Sequence, residues 1–117
     1  MAQTDQQVSA IHLDAVGGIS GDMFAAAILD AHVSLWPRCE AAISALSLPT
    51  DTSARTETVT HKGFKGTRFT VQLINDGRPR NHSHTPWIEI RSMLLNAPLE
   101  AGVRDTAIGI FTILAEA

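Results

Sequence analysis

A single cysteine, Cys39, among 117 residues excludes an internal disulfide, and the polar start M-A-Q-T-D-Q-Q lacks the basic and then apolar run of a secretory signal. A cytoplasmic setting is the expectation that follows. Long apolar runs are missing too: the longest apolar-leaning stretch, Met23 to Leu29, is far short of the ~20 residues needed to cross a bilayer. Positive charge is in the minority, with nine Lys plus Arg against twelve Asp plus Glu and a formal charge of −3. Wrapping of nucleic acid or of an anionic membrane therefore has no electrostatic basis, and neither is expected as a partner. No internal repeat or low-complexity tract is evident.

Hydrophobic residues make up 44% and charged residues 18%, a globular balance. A chain of this length buries roughly 65% of its unfolded surface and can build a core without disulfides or structural metal. One domain is expected over 8–117, after a disordered start at 1–7.

From Val8 to Val16 the run V-S-A-I-H-L-D-A-V, closed by Gly17-Gly18, predicts a buried strand entering a tight turn. Ser20 is placed to cap a helix from about Asp22 to Val33, whose face is Met23, Phe24, Ile28 and Leu29. Trp36, Cys39, Ile43 and Leu46 recur at helical spacing in a second, shorter helix. Leu48 to Arg55 reads as a turn-rich link.

Two strands follow, a half-exposed one at 56–61 and one at 67–73, where Phe69, Val71 and Leu73 face opposite to Arg68, Thr70 and Gln72. They are expected to pair as a hairpin through 62–66. The loop N-D-G-R-P-R-N-H-S-H at 75–84 has no apolar residue. Thr85 as cap and Pro86 as first residue start a third helix bearing Trp87, Ile90 and Leu94, and a fourth runs from Leu99 to the last residue. The predicted fold is α+β, a small sheet with helices packed on one face, in the order β-α-α-β-β-α-α. The last helix has no Gly or Asn stop. It either frays into water or belongs to a longer protein of which these residues are the front piece.

The most specific feature is L-D-A-V-G-G-I-S-G-D-M, residues 13–23. A dinucleotide fingerprint would need Gly at Val16, and a phosphate-binding loop would need Lys then Ser or Thr at Asp22 and Met23. Two readings remain. Asp14 and Asp22 hold a hard cation or orient polar substrate groups, or they are turn and cap residues beside glycines that permit a sharp bend.

The stretch L-D-A-V-G-G-I-S-G-D-M-F-A-A-A-I-L-D-A closely resembles the N-terminal signature of the LarC family, the nickel-insertion proteins of nickel-pincer nucleotide biosynthesis. The resemblance continues through K-G-F-K-G-T-R-F-T-V at 62–71, the His-containing loop at 82–84 and the helices ending I-F-T-I-L-A-E-A. It implies the N-terminal portion of a lyase that inserts nickel into a pyridinium dithiocarboxylate mononucleotide, yielding the cofactor of lactate racemase. CTP with manganese or magnesium would act in a C-terminal domain that this sequence does not contain.

On that resemblance Asp14 and Asp22 take catalytic roles, and Gly18, Ser20 and Gly21 contact the substrate. His82 and His84, in N-H-S-H-T-P, would capture nickel, which imidazole serves well. A solvated loop is the alternative at these two histidines, since two ligands leave the coordination open. His12, His61 and His32 read as strand or surface residues, Cys39 as a small core residue, and Trp36 and Trp87 as core anchors. The 117 residues alone are expected to be inactive and to work with a missing C-terminal domain or partner. A noncatalytic nickel carrier or interaction domain, with the last helix as its docking face, is the alternative. Dimerisation over an unfinished helix face is left open.

Overall fold

The computed structural model describes residues 8–48, 52–73 and 84–117. Helix α1 spans Gly21–Ala31; a single 3₁₀ turn at Val33–Leu35 leads into α2, Trp36–Ala45, with Pro37 in its first turn. Strands β1, Thr52–His61, and β2, Phe64–Leu73, form an antiparallel hairpin. Helices α3, Trp87–Asn96, and α4, Ala101–Glu116, close the described chain.

The order is therefore helical up to the hairpin and helical after it, and the predicted first strand is absent. Residues 8–16 run without a partner strand and are exposed throughout, Ile11 at 59% and Val16 at 84%. The segment is neither buried nor a strand, because a strand exists only where another edge supplies its ladder. The only sheet among the described residues is two-stranded, and neither of its strands pairs with this segment.

The hairpin is longer than its alternation suggested. His61 pairs with Phe64 across a two-residue turn, Lys62-Gly63, whose φ angles are 48° and 85°. Two consecutive positive φ values define the turn type whose twist matches that of paired strands. Gly66, expected in the bend, lies inside β2 opposite Val59, and β1 begins at Thr52, opposite Leu73, inside the stretch predicted as a link.

Helix α1 packs on β2, and Thr67 donates from the sheet to the Asp30 carboxylate of α1. Helices α3 and α4 form the second packed pair, in which Trp87 stacks on Phe111 at 5.9 Å between ring centres. The Arg104 guanidinium ties their connection, donating to the carbonyls of Ala97 and Leu99 at 3.0 and 3.1 Å. Helix α3 begins one residue later than predicted. Pro86, at ψ 148°, is its cap position, and its carbonyl accepts from Glu89 and Ile90.

Four hydrophobic residues are buried among those described: Ala26 and Leu29 of α1, Leu94 of α3 and Ala97 just after it. Each buried leucine contributes about 2–3 kcal/mol by removal from water. Trp36, Trp87 and Cys39 are half-buried, and burial pushes the Cys39 thiol pKa up. No helix among the described residues is long and apolar enough to cross a membrane.

Candidate functional site

The turn before α1 is set by backbone geometry. Gly18 donates its N–H to the Ala15 carbonyl at 3.0 Å, closing a four-residue turn whose third residue, Gly17, has φ 85°. A type II turn requires that conformation. Gly18 follows at φ 102°, and a Cβ at either position would meet nothing within 4 Å. Glycine is needed there for its φ, not for its small size.

Past the turn Ser20 is extended, at φ −128° and ψ 169°, and its carbonyl accepts the first helical bond from Phe24 at 2.9 Å. The Ser20 hydroxyl does not cap a backbone N–H as expected. It donates to the Asp22 carboxylate oxygen Oδ1, which also accepts from the Met23 N–H at 2.9 Å. In a cap the Ser20 oxygen would accept from an N–H; here the hydroxyl instead donates, to an ionised carboxylate, which is a strong acceptor. The Ser20 hydroxyl first, and the Met23 N–H second, hold the Asp22 carboxyl below the usual carboxylate range. Both bonds fall on one oxygen, and the side chain is exposed.

Asp14 is exposed in the extended segment ahead of the turn. Among the described residues no hydrogen bond or ion pair joins it to Asp22, and no three His, Cys, Asp or Glu side chains gather as a metal-ligand set. Gly21 is the first residue of α1, directly before Asp22. His84 is exposed ahead of α3, while His82 lies outside the described residues.

Two features carry no local signal in sequence. An apolar groove of about 570 Å³ runs between α1, α2 and the start of α4, lined by Phe24, Ile28, Leu35, Cys39 and Val103. At its edge Arg38 donates to both oxygens of Glu100, at 3.0 and 3.1 Å, from 62 residues away. The only hint was Glu100 itself, an acid at a helix start, where the dipole favours one.

Fold and turn together describe a small α+β domain that presents a glycine turn and an exposed carboxylate, Asp22, to solvent at a helix start. The chain belongs to the nickel insertion protein family, whose model matches residues 11–117. It is 35% identical over 108 residues to a candidate nickel insertion protein of Geobacter sulfurreducens, covering 92% of this chain and 26% of the relative. Two pyridinium-3,5-bisthiocarboxylic acid mononucleotide nickel insertion proteins are also similar. The one from Akkermansia muciniphila is 32% identical over 92% of this chain and 27% of its own length. The one from a Nocardioides species is 33% identical over 90% and 25%. The chain thus spans about a quarter of the length of the curated relatives it matches. No solved structure matches it.

Proposed function

We propose that these residues are the N-terminal part of a CTP-dependent nickel insertase that places nickel in a pyridinium dithiocarboxylate mononucleotide. The product is the nickel-pincer cofactor of lactate racemase. The observation that carries the reading is Asp22, an ionised carboxylate oriented by Ser20 and Met23 within a turn that the family match includes.

Nickel is cargo in this scheme. With Oδ1 engaged by two donors, Oδ2 of Asp22 is the oxygen that would meet the incoming cation or a polar group of the substrate. Asp14 supplies a second carboxylate when the 8–16 segment is held in place. Gly18, Ser20 and Gly21 line the path of the substrate, and His82 with His84 delivers nickel through imidazole nitrogen. CTP and its manganese or magnesium act in the remaining three quarters of the protein, and the whole works in the cytoplasm.

An insertion assay with nickel, CTP and the mononucleotide tests this reading. Turnover is expected only when the chain is joined or mixed with the rest of a nickel insertion protein, and turnover by the 117 residues alone refutes the division of labour. Calorimetry with nickel tests the loop: a His82→Ala, His84→Ala double variant with unchanged affinity removes it from the scheme.

The second reading, a noncatalytic nickel carrier that assembles with a separate partner, is favoured by α4, which leaves Ile110 and Ile113 exposed on a helix already packed on α3. Under it the chain binds nickel, and the partner inserts nickel without any need for Asp22.

A further inference from the structure

The groove between α1, α2 and the start of α4 is apolar and open to solvent. Buried Leu29 lines it, while Phe24 of α1 and Val103 of α4, in the same lining, are 42% and 44% exposed. The apolar surface does not stop there. Ile110 and Leu114 lie seven and eleven residues beyond Val103, a spacing that returns them to the same side of α4, and both are exposed. At 1.5 Å per residue this stripe carries the surface about 16 Å beyond Val103. Groove and stripe make one elongated apolar track, longer than a compact small molecule fills.

Such a track is unfavourable in water. Among the described residues eighteen large hydrophobic side chains are exposed against four buried hydrophobic residues, and those of the track adjoin one another instead of being scattered. The rim of the groove is polar without net charge, because Arg38 and Glu100 satisfy each other at 3.0 and 3.1 Å. What fits is therefore an apolar face with polar margins, and not an acidic or a basic one.

A concave track is filled by a convex element. A helix with apolar residues at every third or fourth position presents such a face along its length. A second copy of this chain would bring the same groove, and two concave surfaces are not self-complementary about a two-fold axis. The relatives point to a different source: about three quarters of each lies outside the part that this chain matches.

We propose that the track seats an amphipathic helix from the three quarters of the nickel insertion protein that lie outside these residues. The placement rests on reading the chain as the N-terminal part of that protein, and not on the nickel chemistry. The seated helix covers Phe24, Val103, Ile110 and Leu114 and closes Cys39 off from solvent.

A chimera in which this chain replaces the matched quarter of the Geobacter sulfurreducens relative tests the seat. Cys39 is the only cysteine of the chain, is half-buried in the groove lining, and reports on its cover. Peptide-level labelling of Cys39 by a maleimide is expected to be about tenfold slower in the chimera than in the 117-residue chain, and the chimera should melt in one cooperative transition. Val103→Glu with Ile110→Glu should restore labelling, since each variant places a charge in the covered contact. Both positions are exposed in the chain itself, so far-UV circular dichroism of the double variant should show an intact fold. Ile88→Glu on α3, 75% exposed and outside the track, should leave the protection unchanged.

Equal labelling of Cys39 in chimera and chain, protection that survives the double variant, or separate melting of the two parts overturns the proposal. A 117-residue chain that sediments as a dimer, with Cys39 protected until the double variant breaks it, overturns it in favour of a second copy. Nickel insertion by the chimera separates the seat from the nickel reading. Insertion with Cys39 unprotected sinks the seat alone, and protection without insertion sinks the nickel reading alone.

Discussion

Replacing Lys62 by Asn should make the protein more stable. The turn Lys62-Gly63 has φ angles of 48° and 85°. A residue with a Cβ gives up roughly 1–2 kcal/mol in the left-handed region, and Asn recovers part of that through local hydrogen bonds. Its several-fold enrichment there corresponds to about 0.5–1 kcal/mol. The Lys62 side chain is exposed and has no ion-pair partner among the described residues, so its removal should cost no folded-state contact.

Because α1 packs on β2, the hairpin lies within the folded unit and the gain should appear in global unfolding. The melting temperature should rise by roughly 2–5 °C, and the urea midpoint should move up with an unchanged slope. Gly63→Ala, at φ 85°, should move stability the other way by about 1 kcal/mol or more. If Lys62→Asn is neutral or less stable with the hairpin intact by NMR, the position is not locally disfavoured, and the reasoning from its φ fails.

Three further outcomes are expected. Leu94→Ala, at 4% exposure, should cost about 2–4 kcal/mol in thermal melts, while Ile88→Ala on the same helix, at 75%, should stay within about 0.5 kcal/mol. Ser20→Ala should move the Asp22 carboxyl up toward its ordinary range in an NMR titration; the depressed folded pKa means that its stabilising contribution is complete above the ordinary carboxylate range and is lost as the pH falls through the folded value. An unmoved Asp22 would show that the Ser20 hydroxyl does not hold it. Arg38→Ala should change stability by no more than about 1 kcal/mol, because both partners of the Arg38 and Glu100 pair are largely exposed; a larger loss in denaturant titration would mean that the pair closes the groove.

The helices were legible where the signals are local: Pro86 near a helix start, alanines 25–27 within α1, and apolar spacing along α3 and α4. The hairpin was legible in its centre but not at its ends. Thr52 to Arg55 have turn-like composition and became strand because β2 offers them partners as far as Leu73. At the candidate site, Gly17 and Gly18 were readable as a turn because few other residues accept their φ angles. That the Ser20 hydroxyl donates to Asp22 instead of accepting from a backbone N–H was not, since it depends on the side-chain rotamers of both residues.

What the amino-acid order determined alone is what acts over one or two turns of chain: the glycine bend, the helix spans, the alternation of the strands and the motif that marks the family. What only the tertiary structure decided is what needs two distant segments. The Val8 to Val16 run stays unpaired, Arg38 reaches Glu100, and the hairpin gathers Arg55, Lys62, Phe64 and Arg68 around its tip and outer face. The reason is that periodicity and dihedral preference act within a segment, whereas a ladder partner or a shared face is a property of two segments brought together.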